Sequence, residues 1–212
     1  MITRFKNFLA SSLPNLRGKR QHRRLAHSFV FVDPTTPIDR RVYISGSSSS
    51  PIYVGKYCSI APYACILTNN HSRQLLCMQG QFYAKNGVNI LDLISSSDIT
   101  RTKGPINISH DVWIGYSSFV GSNVSIGIGS VIGALSTITK DIPPYSIVVG
   151  NNKFIGRRFD DATIDLLLKS QWWMRDFQFL TPLSRRELFA SSPEIWGSEE
   201  WGLIYKCPIL NE

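Results

Sequence analysis

The chain has 212 residues, of which 43% are hydrophobic and 18% charged, a balance typical of a folded globular protein rather than a disordered one. No run of about 18 apolar residues occurs, so the sequence predicts no transmembrane helix. The formal net charge of +8 favours an anionic partner.

A basic segment, residues 1–27, comes first along the chain. Its cations crowd one short stretch, at Arg17, Lys19, Arg20, Arg23 and Arg24. The apolar residues before that stretch are spaced for one helix face. Peripheral contact with a membrane surface or an anionic glycan is therefore one interpretation, and a solvated basic tail is the other. No nucleic-acid-binding motif accompanies the charge, so we predict no nucleic-acid partner.

Two further features of the sequence bear on the cellular compartment. The N-terminus lacks the continuous apolar core and cleavage site of a secretory signal. The four cysteines, Cys58, Cys65, Cys77 and Cys207, show neither a CxxC pair nor the spacing of a metal finger. Because such unpaired cysteines are usual in a reducing compartment, we expect a cytoplasmic protein, with membrane association through residues 1–27 left open.

Repeats of six residues begin after two strand-like stretches and a serine-rich loop. Val54, Ile60 and Ile66 open three hexads, and Cys58 and Ala64 occupy the small fifth place. The period then disappears after His71. A long irregular segment in a compact domain is usually functional, so we interpret residues 72–105 as a loop excursion thrown out from the repeat.

The period returns over residues 108–143 as six consecutive hexads. Aliphatic residues open all six: Ile108, Ile114, Val120, Ile126, Ile132 and Ile138. Small or aliphatic residues fill the fifth place: Val112, Ser118, Val124, Ser130, Ser136 and Ile142. An ordinary sheet shows a period of two, whereas hexapeptide repeats build parallel β-helices in which three hexads close one triangular coil. We therefore predict an all-β repeat domain over residues 28–150.

The remaining residues, 151–212, form a C-terminal region. The stretch DDATIDLLLKSQWW has the pattern of an amphipathic helix that begins after Asp160 or Asp161. We expect this helix to cap the open end of the coils. The tail from about Phe177 is rich in aromatic residues and proline, and the sequence assigns it no role.

The motifs NNH, HDVWIG, GALSTITKDIPPYSIVVGN and RFDDATIDLLLKSQWW resemble those of the hexapeptide-repeat acyltransferases. Within that family they are similar to the xenobiotic branch, which includes type B chloramphenicol and streptogramin acetyltransferases. The resemblance implies a left-handed parallel β-helix, a homotrimer, and acetyl-CoA bound in the cleft between subunits. It also implies that His71, at the point where the long loop departs, is the general base for the acceptor hydroxyl.

Trp113 is the second candidate catalytic residue. Its indole N–H can donate a hydrogen bond to the acetyl oxygen but cannot act as a base, and surface packing between subunits is the alternative. Small residues where the pantetheine arm would approach closely are Gly115, Ser117, Gly133, Ala134 and Ser136. Candidate cations for the phosphates are Lys140, Lys153, Arg157 and Arg158, and Asn151 lies in the loop near the adenine end.

The sequence departs from the family pattern at two places. The family commonly has a proline where this chain has Asn152, and the residues after His71 differ from those of the antibiotic-modifying members. We therefore expect an O-acetyltransferase acting on a saccharide hydroxyl, with an antibiotic or an amino sugar as the alternative acceptor. A zinc enzyme of the γ-carbonic-anhydrase kind needs three histidines, and only His71 and His110 lie near the coils, so we predict no metal. A non-catalytic trimeric binding module is the other rival class.

Overall fold

The structure is a computed structural model that describes residues 29–70, 75–95, 102–175 and Arg186. The basic segment 1–27, His71 and, apart from Arg186, the tail from about Phe177 lie outside these residues, so the predictions made for them stay predictions. No helix among the described residues is both long and apolar enough to cross a membrane.

Thirteen short strands and three α-helices make up the described chain. The strands are β1 (Val30–Val32), β2 (Tyr43–Ser45), β3 (Ile52–Val54), β4 (Ser59–Ile60), β5 (Cys65–Leu67), β6 (Ile106–Ile108), β7 (Trp113–Ile114), β8 (Phe119–Val120), β9 (Val124–Ile126), β10 (Val131–Ile132), β11 (Thr137–Ile138), β12 (Ser146–Val149) and β13 (Lys153–Arg157). The helices are α1 (Gly80–Lys85), α2 (Ile90–Ser95) and α3 (Asp161–Ser170), and a 3-10 turn follows at Trp172–Met174.

The strands form three sheets that the chain visits in rotation. Sheet 1 has the order β1-β3-β6-β9, sheet 2 the order β13-β12-β10-β7-β4, and sheet 3 the order β11-β8-β5-β2. Every pair is parallel except β12 with β13. From β3 to β11 each strand passes to the next sheet, so three strands make one coil. The predicted mainly β fold of parallel sheets is therefore confirmed.

The hexad pattern explains which side chains face inward. All the aliphatic residues that open the hexads at 108–143 are buried, as are those of the earlier coil. Residues paired along sheet 2, such as Ile60, Ile114 and Ile132, stack in register inside the coils. No single coil could bury its own row, because each row is covered by the coils on either side.

The three corners between the sheets carry different features. We call them corner 1–2 (residues 55–58, 109–112 and 127–130), corner 2–3 (61–64, 115–118 and 133–136) and corner 3–1 (121–123 and 139–141). The excursion with α1 and α2 departs after sheet 3 at corner 3–1. Left-handed backbone conformations occur at these turns in non-glycine residues, including Tyr63, Ser117 and Leu135, and also in Gly129.

Helix α3 lies against corner 1–2 and does not cap the open end of the coils as predicted. Asp160 caps it by accepting a hydrogen bond from the Thr163 N–H at 2.8 Å. Its buried residues Ile164 and Leu167 share an apolar cluster with Ile128 and Tyr145, which come from the turns of successive coils. The pattern of apolar residues identified the helix but not the surface that it covers.

Candidate active site

The segment that carries His71 departs from corner 3–1. The described chain ends there at Asn70, whose side-chain N–H donates to the Ser122 hydroxyl at 3.2 Å. This contact joins the end of one coil to the corner of the next coil. His71 itself lies outside the described residues, so its role as a base stays a prediction.

Trp113 lies on the outer face of sheet 2. Trp113 pairs with Ser59 of β4 on one side and with Val131 of β10 on the other, and the residue is 53% exposed. The indole N–H can therefore reach a ligand outside the coils. However, this face is not the corner from which the His71 segment departs, so one copy of the described chain does not bring the two elements together.

Two small residues predicted to admit pantetheine are small for another reason. A Cβ on Gly115 would lie 2.5 Å from the Ala134 backbone nitrogen, so the next coil of the same chain requires this glycine. The Ser136 side chain is buried inside the corner, and its hydroxyl has no partner among the described residues. Their small size therefore serves the packing of the chain itself, and their part in binding the pantetheine arm stays a prediction.

Gly133 is likewise close to its own chain, because a Cβ there would lie 2.9 Å from Val149 Cγ1. Ala134 is exposed and Ser117 is partly exposed at corner 2–3, where a ligand could reach both. Among the described residues, neither the Ala134 N–H nor the Tyr116 N–H has a hydrogen-bond acceptor. Two free amides on an exposed corner suit the carbonyl groups of a pantetheine arm.

Corner 2–3 also carries an exposed ridge that the sequence analysis missed. Tyr63 and Tyr116 pack edge to face with ring centroids 5.5 Å apart, and the exposed Leu135 comes from the next coil. All three occupy the third or fourth place of a hexad, where the chain turns. Attention to those places in the repeat would have identified the ridge.

The four predicted phosphate ligands separate into two groups. Lys140 and Lys153 are exposed, and neither makes an ion pair within the described part of the chain. Arg157 pairs with Asp161 at 2.7 Å on the surface, an arrangement that a competing anion could replace.

Arg158 is held by groups of the protein itself, and its assignment as a phosphate ligand stays a prediction. Its Nη1 donates to Asp111 and to the Gly129 carbonyl, both at 2.8 Å. The guanidinium also lies over the rings of Tyr145 and Phe159. These contacts fasten the start of the α3 region to corner 1–2 and leave the guanidinium engaged.

The loop at Asn151 and Asn152 closes the last coil. Asn152 has φ of +54°, a conformation that proline cannot adopt because its ring fixes φ near −65°. Its side chain accepts from the Thr139 N–H at 2.8 Å and donates to the Thr139 hydroxyl and to Asn151 Oδ1, each at 2.9 Å. The missing family proline is thus replaced by a different way of holding the loop.

His110 is buried at corner 1–2. Its Nδ1 accepts the Lys56 backbone N–H at 2.9 Å, and its ring stacks on Trp173 at 5.6 Å. Burial lowers the pKa of His110 to about 4; the nearby Lys56 lowers it further and Asp33 opposes this. Among the described residues, no group of three or more His, Cys, Asp or Glu side chains is placed so that it could hold a metal ion. His110 is therefore a structural histidine of this corner.

This burial predicts a pH-dependent stability. Because the folded pKa lies below the ordinary value of 6.5, the neutral imidazole contributes stability above about pH 6.5 that is lost as the pH falls towards 4. We expect the free energy of unfolding to fall by up to about 3 kcal/mol over this window through His110. Urea unfolding of wild type and His110→Gln at both pH values measures the difference. An equal loss in both proteins would contradict the prediction.

The chain was compared with known protein families, curated proteins and solved structures. No family model matches the chain. It is 34% identical to a probable macrolide acetyltransferase of Lysinibacillus sphaericus over 123 residues. The matched segment covers 58% of this chain and 68% of that protein. The chain is 30% identical to a chloramphenicol acetyltransferase of Agrobacterium fabrum over 137 residues. The matched segment covers 63% of this chain and 64% of that relative.

A solved hexapeptide-repeat-containing acetyltransferase of Vibrio cholerae superimposes with a TM-score of 0.44 at 23% identity, covering 74% of this chain and 89% of the other. The chain spans slightly less than two thirds of the Agrobacterium relative and slightly more than two thirds of the Lysinibacillus one. The predicted resemblance is confirmed by the two acetyltransferases that match in sequence. The chain belongs to the hexapeptide-repeat acyltransferases, in the xenobiotic acetyltransferase branch.

Proposed function

We propose that this chain transfers an acetyl group from acetyl-CoA to a hydroxyl of a saccharide, in a surface polysaccharide or its precursor. The observation that carries acetyl transfer is the identity to relatives that are named acetyltransferases. Within the described part of the chain, the amides of Tyr116 and Ala134 have no acceptor and Lys140 and Lys153 have no ion-pair partner, which supports a site for the CoA portion. Acetyl-CoA supplies an activated acyl group as a thioester.

The roles of the residues follow from the needs of direct acyl transfer. His71 accepts the proton of the acceptor hydroxyl as its oxygen attacks the acetyl carbon. The Trp113 indole N–H donates to the acetyl oxygen as negative charge develops there. The C–O bond forms, the C–S bond breaks, and His71 returns the proton to the departing thiolate. None of these reaction steps needs a metal.

A left-handed β-helix and a homotrimer belong to the same proposal. Three short strands per coil, on three sheets visited in rotation, support a triangular β-helix. Trp113 faces outward on sheet 2, whereas the His71 segment departs from corner 3–1. A site that uses both residues therefore takes His71 from one subunit and Trp113 from its neighbour, and the repeat of this arrangement around a three-fold axis closes a trimer.

An antibiotic is the second candidate acceptor, and two observations favour it. The relatives are named chloramphenicol and macrolide acetyltransferases. In addition, the described part of the excursion exposes Leu76, Met78 and Phe82, which suit an apolar ligand. The residues after His71 favour the saccharide instead, because they depart from the pattern of the antibiotic-modifying members. N-acetylation of an amino sugar is the remaining alternative.

A panel of acceptors tests the proposal. Thiol release from acetyl-CoA is measured with sialylated and neutral oligosaccharides, free amino sugars, chloramphenicol and a streptogramin. We expect turnover on a saccharide, with the ester located by mass and NMR. Turnover on an antibiotic alone would replace the saccharide by the second candidate. Absence of acetyl-CoA binding by calorimetry would overturn the proposed activity as a whole.

A further inference from the structure

The last coil carries an exposed side-chain clamp that has no place in the scheme above. Asn152 makes three side-chain hydrogen bonds, two to Thr139 and one to Asn151. The Asn152 backbone N–H also donates to the Thr137 carbonyl at 3.1 Å. The loop 150–152 is thereby fixed against the turn that follows β11.

The two segments joined by this clamp each carry one lysine. Lys140 directly follows Thr139, and Lys153 directly follows Asn152. Both lysines are exposed, and within the described ranges neither has an ion-pair partner. A lysine ammonium is a point charge on a flexible stem, so the relative position of the two charges depends on how firmly their backbones are held.

Asparagine suits the clamp for two separate reasons. It tolerates the left-handed φ of +54° better than most side chains, and its amide offers an acceptor and donors at the same time. The acceptor satisfies the Thr139 N–H, and the donors reach the Thr139 hydroxyl and Asn151. A glycine would keep the backbone conformation but would lose all three bonds.

We propose that Asn152 is a positioning residue for the cofactor, which holds Lys140 and Lys153 at a fixed separation as one site for the phosphates of CoA. This inference rests on the proposed function. Asn152 acts through the two lysines, and without the clamp their ammonium groups must be ordered by the ligand at the moment of binding. That added cost weakens the binding of CoA and leaves the acyl-transfer step unchanged.

The test uses the full 212-residue chain and calorimetric titration with acetyl-CoA, which needs no knowledge of the acceptor. We expect Asn152→Gly to raise the Kd for acetyl-CoA about tenfold. The matched control is Gln171→Gly, because Gln171 also has a positive φ, of 46°, and its side chain makes no cap hydrogen bond. The control is expected to bind acetyl-CoA as wild type does.

The same substitution in a variant without the two lysines distinguishes a positioning role of Asn152 from a general structural effect. In a chain that carries Lys140→Met and Lys153→Met, adding Asn152→Gly is expected to change the Kd by less than about twofold, since no cations remain to be held. An equal loss in both backgrounds would overturn the inference, as would wild-type affinity in Asn152→Gly alone. If the wild-type chain binds no acetyl-CoA, the proposed function fails first; if it binds and Asn152→Gly binds equally, only the clamp fails.

Discussion

His71→Ala is expected to lower the rate of acetyl transfer by roughly 10²–10⁴-fold while leaving the affinity for acetyl-CoA unchanged. The imidazole is assigned only to the acceptor proton, whereas the proposed CoA contacts lie at corner 2–3 and on the last coil. Removal of the base should therefore affect turnover and not cofactor binding. Thiol release with the accepted substrate, together with calorimetric titration of acetyl-CoA, measures the two quantities separately.

The control for this variant is His27→Ala, which removes a histidine from the basic segment instead of the loop departure. It should retain wild-type turnover on a small acceptor. A His71→Ala protein with full activity would contradict the mechanism. A variant that lost acetyl-CoA binding as well would place His71 in the cofactor site rather than at the acceptor.

The coils could be predicted from the sequence because their period is local. Each hexad repeats the same inward aliphatic residue, so Ile108 or Ile132 can be assigned to the core without knowledge of its partners. Asp160 was likewise recognisable as a helix cap, because a cap bonds to a residue three positions away. In both cases the energy that fixes the conformation comes from neighbours in the chain or from an identical repeat.

The surroundings of individual side chains could not be predicted in the same way. His110 is buried because Trp173, 63 positions later, stacks on it, and Arg158 is engaged because Asp111 lies at the same corner. These contacts arise only when α3 settles on corner 1–2, and no periodic pattern encodes that position. Ser136 was assigned to the path of the pantetheine arm because it is small, and the structure shows that its side chain is buried inside the corner.

The loop at Asn152 illustrates how a departure from the family pattern can carry information. The sequence shows only that a proline is missing, which leaves the course of the loop undefined. The structure shows a left-handed residue and a side chain bonded to Thr139, two features that proline cannot provide. Substitution of the family proline would therefore change the geometry of the last coil and not restore it.

Ile114→Ala is expected to destabilise the protein by about 2–5 kcal/mol, the largest stability change among these variants. Ile114 is fully buried in β7, between Ile60 and Ile132 of the adjoining coils, so its truncation leaves a cavity that both neighbours line. The stacked coils cannot close this cavity without losing strand register on sheet 2. Urea unfolding at a fixed protein concentration measures the change.

The matched control is Ile155→Ala, the same truncation in β13, where the side chain is 55% exposed. We expect a change within about 0.5 kcal/mol there, since little apolar surface returns to water and no cavity forms. Equal losses in the two variants would show that the inward row of hexad residues does not hold the coils together. A large loss in Ile155→Ala alone would instead indicate that the exposed face of β13 is buried against another subunit, which calls for the same pair of measurements across a range of protein concentrations.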